Sequence, residues 1–208
     1  MKPSLLLSLL ISALFLTSCA GMNEAECLNA NWELIGIHDG ERGREVSYAS
    51  RHQEDCSKHG SQIDMLAYRV GHEEGLRTYC RAENGFQVGR SGKTYSGICP
   101  DDLEGAFVNE YDIGYEFYLL DKDISDAENK IRTYLSRIEY LNEEIDLAAE
   151  AAVQLNISPA KRDRIQQDMK EMQFEMLDLE RLVANTQLYL EDREAELRGL
   201  SNYYQNQR

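Results

Sequence analysis

The chain has 208 residues, 22 Lys+Arg against 37 Asp+Glu, and a formal net charge of −15. That acidic balance, without Lys and Arg clusters for phosphate contacts, argues against nucleic-acid binding and against electrostatic adhesion to anionic headgroups. Its 42% hydrophobic residues are enough for one or two small cores.

The first nineteen residues predict an export signal. Lys2 supplies a positive start, and Leu5 to Leu16 is an almost unbroken apolar run, too short to span a bilayer. The run ends in Leu16-Thr17-Ser18-Cys19, which resembles the lipobox of bacterial lipoproteins. That resemblance implies a signal peptide over 1–18 and a Cys19 thiol that accepts a diacylglycerol, so that palmitate-type acyl chains hold the protein on a membrane. Ala20 stands where an Asp would favour inner-membrane retention, so the expected address is the outer membrane, facing the periplasm. Multiple acylation makes a stable anchor where one chain would be marginal.

Residues 19–114 are expected to form a glycine-rich, disulfide-stapled domain. Thirteen of the fourteen glycines precede residue 115, as do all the cysteines and the only tryptophan. Beyond Cys19 there remain Cys27, Cys56, Cys80 and Cys99, and an even number in an exported chain reads as two disulfides with three possible connectivities. A first helix starting near Cys27 and an antiparallel second one ending near Cys56 would bring those two together. Cys80, at the end of a third helix, would then take Cys99. Trp32…Gly36…Gly40, Tyr68…Gly71…Gly75 and Tyr111…Gly114 share an aromatic-then-glycine pattern. Glycines four apart lie on one helix face and let another backbone approach closely. The Gly-rich stretch between Cys80 and Cys99, 84–97, reads as a short β-hairpin.

The stretch 25–120 resembles a known family, the exported Gram-negative lipoproteins built on domain of unknown function 2799. The resemblance rests on Trp32 through Gly43, on Cys56 and Asp64, and on Tyr68 through Cys80. It continues through Gly89, Gly92, Tyr95, Gly97, Cys99-Pro100 and Phe107…Tyr111…Gly114. It implies a small stapled domain and supplies no catalytic residues.

Several apparent sites fail on their spacing. Gly92-Lys93-Thr94 looks like the end of a phosphate-binding loop, but the motif's first glycine would be Gln87. His72-Glu73 lacks the second zinc-protease histidine, since position 76 is Leu76. His52, Cys56 and His59 share a helix face that could hold a metal, unless Cys56 is in a disulfide. His38-Asp39 could be an acid–base pair, or the local hydrogen bonding of a helix end. No catalytic residue, metal or cofactor is assigned.

Residues 115–208 predict a long antiparallel two-helix coiled-coil hairpin. Apolar or small residues fall at 117, 120, 124, 127, 131, 134, 138, 141, 145, 148, 152 and 155. A second series runs 165, 169, 172, 176, 179, 183, 186, 190, 193, 197, 200 and 204. Both alternate spacings of three and four, the seam of a coiled coil. Ser158 and Pro159 suit a helix start. Facing residues across the fold-back, such as Phe117 with Leu197, Ile138 with Met176 and Leu141 with Met172, have numbers that sum to 313 or 314. Arg193 is a polar intruder expected to pair with Asp121 or Asp123. The fold class is therefore mainly α. The expected function is that of a lipid-anchored interaction or structural protein presenting the hairpin to an envelope protein. The alternatives are a small-ligand or metal-binding module, or an enzyme, in 25–114.

Overall fold

The structure is a computed structural model that describes residues 21–206, so the expected signal segment 1–18 and Cys19 lie outside the described residues. Seven helices follow in order among them. They are α1 (Glu24–Leu28), α2 (Trp32–Glu41), α3 (Ala49–Ser57), α4 (Met65–Tyr79), α5 (Ala82–Arg90), α6 (Asp101–Ala152) and α7 (Pro159–Asn206), with a 3-10 turn at Val46–Tyr48. Starts are marked by side-chain caps. Asn23 and Glu26 form a reciprocal capping box on α1, Asn31 accepts from Leu34 N, and Asp64 accepts from Leu66 and Ala67 N. The chain divides into two compact units. One spans the residues up to Val88 plus Thr94–Asp112, and the other is Gly89–Lys93 with Ile113–Arg208.

In the first unit, glycine decides how α2 and α4 meet. A Cβ on Gly36 would strike the Tyr68 carbonyl oxygen, and one on Gly40 that of His72. A Cβ on Gly71 would strike the Glu33 carbonyl, and one on Gly75 that of Ile37. Each contact recurs on the other helix 35 positions away, so α2 and α4 run parallel and related by an approximate two-fold axis. Backbone therefore packs on backbone along this pair.

Around this pair lie two small cores. Cys27, Trp32, Ala49, Cys56 and Tyr68 make one, and Leu76, Cys80, Val88, Cys99 and Phe107 the other. Each holds one disulfide. Cys27 joins Cys56 across 29 positions, and Cys80 joins Cys99 across 19. Cys56 is in the last turn of α3 and Cys80 caps α4.

The expected β-hairpin is not formed. The first half of that stretch, 84–90, belongs to helix α5, and no strand occurs among the described residues. Gly85 is there for close approach, since a Cβ would strike the Phe107 carbonyl. Val88 then enters the second core from a helix. Turning is left to Gly92 and Gly97, both at φ +71°.

The second unit is the hairpin. All twelve seam positions of α7 are buried or half-buried. On α6, Phe117, Leu120, Ala127 and Leu141 are buried, and Val183 is the buried residue of α7. Flanking contacts keep the register: Glu175 accepts from Arg137 Nε at 2.8 Å and Nη2 at 3.1 Å, and Tyr189 donates to Asp123 at 3.0 Å.

At the tip, the expected seam residue Leu155 is 98% exposed, because α6 stops at Ala152. There Arg162 Nε donates to the Ala152 carbonyl at 3.1 Å, and Ser158 receives Lys161 N at the start of α7. Near the base, Arg193 does not pair with Asp121 or Asp123. Asp121 is taken by Arg90 and Asp123 by Tyr189. Arg193 instead pairs with Asp192 at 2.6 Å and Glu196 at 2.8 Å on its own helix. Phe117, which the register sets opposite Leu197, lies edge-on to Tyr204 at 6.0 Å, with the Arg90 guanidinium over its ring at 5.7 Å. The 89–93 segment thus adds a third element to the hairpin base.

These contacts predict opposite outcomes for two glycine-to-alanine changes. Gly36→Ala forces α2 from α4 and should destabilise by about 2–3 kcal/mol. Gly105→Ala, on a helix and with nothing within 4 Å, should stabilise by about 0.5–1 kcal/mol. Urea denaturation monitored by circular dichroism separates the two.

Candidate functional site

The first unit buries one carboxylate, Asp39, which is 2% exposed. Asp39 lies in the last turns of α2, and three segments converge on it. Arg44 Nη1 donates to Oδ1 at 2.7 Å from the connection after α2. His52, on α3, meets Oδ2 through Nε2 at 2.7 Å, and the Tyr68 hydroxyl, on α4, donates to the same oxygen at 2.9 Å. An ionised carboxylate only accepts, so Nε2 of His52 carries the hydrogen. The Asp39 carbonyl also receives Arg42 N at 3.2 Å and Arg44 N at 3.1 Å, closing the turn that aims Arg44 back. His72, on α4, donates from Nε2 to the Arg44 carbonyl at 2.7 Å.

Aromatic rings enclose the cluster. The Tyr68 ring stacks on His72 with centroids 5.9 Å apart and meets His52 edge-on at 6.2 Å. Tyr48 packs against His52 at 5.4 Å. The Arg44 guanidinium sits 4.0 Å over the Tyr48 ring.

Two opposing effects act on Asp39. Burial raises its pKa. The hydrogen bonds from His52 and Tyr68, the His52 charge and the Arg44 bond outweigh it, and the net shift is downward. Tyr68 is pushed up, first by burial and then by its bond to Asp39. The centre is therefore an ionised carboxylate whose donors are already assigned, an arrangement that locks four segments together.

His52 borders open space on one side. Its Nδ1 has no hydrogen-bond partner among the described residues. The residue lines a cleft of about 350 Å³ together with Gly21, Met22, Tyr48, Arg51, Glu54 and Asp55. An Asp–His pair of this kind orients an imidazole for proton transfer. Among the described residues, no serine, threonine or cysteine lines the cleft.

The residues singled out in the sequence fall differently. His38 is exposed and lies 3.4 Å from Glu41, apart from the cluster. Asp39 turns inward to His52 instead. Cys56 is taken by its disulfide to Cys27, so the His52, Cys56, His59 face offers no three-ligand set, and no group of three metal-ligating side chains occurs among the described residues. Nothing in the sequence pattern marks Arg44 and Tyr68 as partners of Asp39. They lie 5 and 29 positions away, and no periodicity connects them.

Fold and site together define a disulfide-stapled helical domain closed around a buried aspartate and continued by a coiled-coil hairpin. Residues 31–116 match the family model described as a protein of unknown function, DUF2799. No curated protein and no solved structure matches the chain.

The lowered pKa of Asp39 sets a pH dependence. The unfolded carboxyl binds protons at a higher pH than the folded one, so this group's stabilisation is present above the ordinary carboxylate value of 3.8 and is lost as pH falls through its lower folded value. Asp39→Asn should remove that acid-side loss. It should also cost about 3 kcal/mol at neutral pH by leaving Arg44 and His52 without their anion. Urea midpoints of both proteins between pH 2 and 7 test the sign.

Proposed function

We propose that this is a lipid-anchored, periplasm-facing interaction protein of the outer membrane that presents the α6–α7 hairpin to an envelope protein. The observation that carries the reading is the hairpin itself. Two helices of 52 and 48 residues are held in register by a seam, and so long a pair is not needed to stabilise a domain closed by two disulfides and a buried carboxylate. A two-helix pair has almost no interior in which to enclose a reaction, so surface contact is its natural use. The lipobox-like Leu16-Thr17-Ser18-Cys19 supports the address. The saturated Asp39 cluster supports a structural role for the first unit.

The His52 opening favours a second reading, in which His52 and Asp39 transfer a proton to or from a ligand in the cleft beside them. Removing residues 142–148 together with 166–172 deletes one facing heptad from each helix. The seam keeps its register and the hairpin shortens by roughly 10 Å. On the main reading this protein is folded but inactive in the assay that reveals the null phenotype, while His52→Gln remains active. The reverse result selects the proton-transfer reading.

Anchoring has its own test. Cys19→Ser should block palmitate labelling and release the protein from the outer-membrane fraction. Unchanged labelling and fractionation would refute the lipid anchor.

A further inference from the structure

A second stripe runs along α7, nearly opposite the seam. Gln167, Lys170, Phe174, Leu177, Arg181, Ala184, Leu188, Glu191 and Ala195 again alternate spacings of three and four. At 100° per residue their mean direction is about 170° from the seam positions. Every one is exposed, and three are large and apolar: Phe174 at 69%, Leu177 at 61% and Leu188 at 66%. The hairpin seam therefore does not account for this stripe.

The stripe is a palindrome in chemical character. Laid antiparallel on a copy of itself about Arg181, it sets Phe174 against Leu188 and Leu177 against Ala184. It also sets Lys170 against Glu191, so one ion pair closes each end. These facing numbers sum alternately to 361 and 362, the same alternation that the seam shows. Arg181 falls on the axis opposite its own copy. Its guanidinium is already paired with Asp178 at 3.0 Å, and its long stem can lie along the apolar stripe while the head stays in water.

We propose that a second copy of this chain covers this stripe, with the two α7 helices packed antiparallel about Arg181 to make a four-helix assembly of two hairpins. Self-complementary charge and apolar order on one unpartnered face are what an isologous two-fold interface requires. The proposal goes beyond the hairpin's presentation to an envelope partner and does not depend on the lipid anchor.

The test uses the protein carrying Cys19→Ser, so that an introduced thiol is the sole free one. Sedimentation should show a concentration-dependent dimer. Phe174→Lys should weaken it at least tenfold at unchanged helicity. Lys170→Glu and Glu191→Lys should each weaken the dimer several-fold, and the two together should restore it. On mild oxidation Arg181→Cys should crosslink to itself, while Lys161→Cys, far from the axis, should not. A monomer at all concentrations overturns the proposal, whatever else binds the stripe. So does a dimer that Phe174→Lys leaves intact, or equal crosslinking from positions 181 and 161.

Discussion

The backbone contact between α2 and α4 is the constraint on which the first unit rests. Four glycines leave no side chain between the helices, so the Tyr68 and His72 carbonyls of one lie against Gly36 and Gly40 of the other. Only at that separation can the Tyr68 hydroxyl reach Asp39 across the interface at 2.9 Å. Asp39 in turn fixes the Arg44 connection and α3. Closeness comes first, and the polar cluster follows from it. Gly offers no side-chain rotamers to freeze, which offsets part of its backbone entropy cost in a helix.

What was legible in the sequence follows from what is local. The spacing of Gly36 and Gly40, and of Gly71 and Gly75, is a short period on one helix, and it pointed directly to close packing. The two heptad strings carried the hairpin for the same reason. The Asp39 cluster draws on 39, 44, 52 and 68, which share no period, so the sequence offered only the neighbouring His38 as a partner. Glycine density usually marks turns and makes Gly85 look like a turn residue, whereas here it admits the Phe107 carbonyl. Spacing also ran one step too far at Leu155. A heptad count cannot register that Arg162 closes the end of α6 on Ala152.

Polar groups near the hairpin base show how one contact redirects another. Arg90 takes Asp121 and Tyr189 takes Asp123, so Arg193 turns to acidic neighbours on its own helix. The expected cross-helix ion pair is replaced by a hydrogen bond from a tyrosine. Its geometry still sets α6 and α7 side by side in register, with less charge removed from water than an Arg–Asp pair would require.

The docking of Met22 has a mechanical consequence. Its N–H donates to Asp55 on α3 at 3.3 Å, and a Cβ on Gly21 would run into the same carboxylate. Only Ala20 lies between Gly21 and Cys19, and an extended chain covers about 3.3–3.6 Å per residue. Any acyl group carried on Cys19 would thus be attached within roughly 7 Å of a backbone already fastened to α3. There would be no slack leash. Whatever precedes Gly21 therefore pulls directly on the last turns of α3 and not on a loose strand.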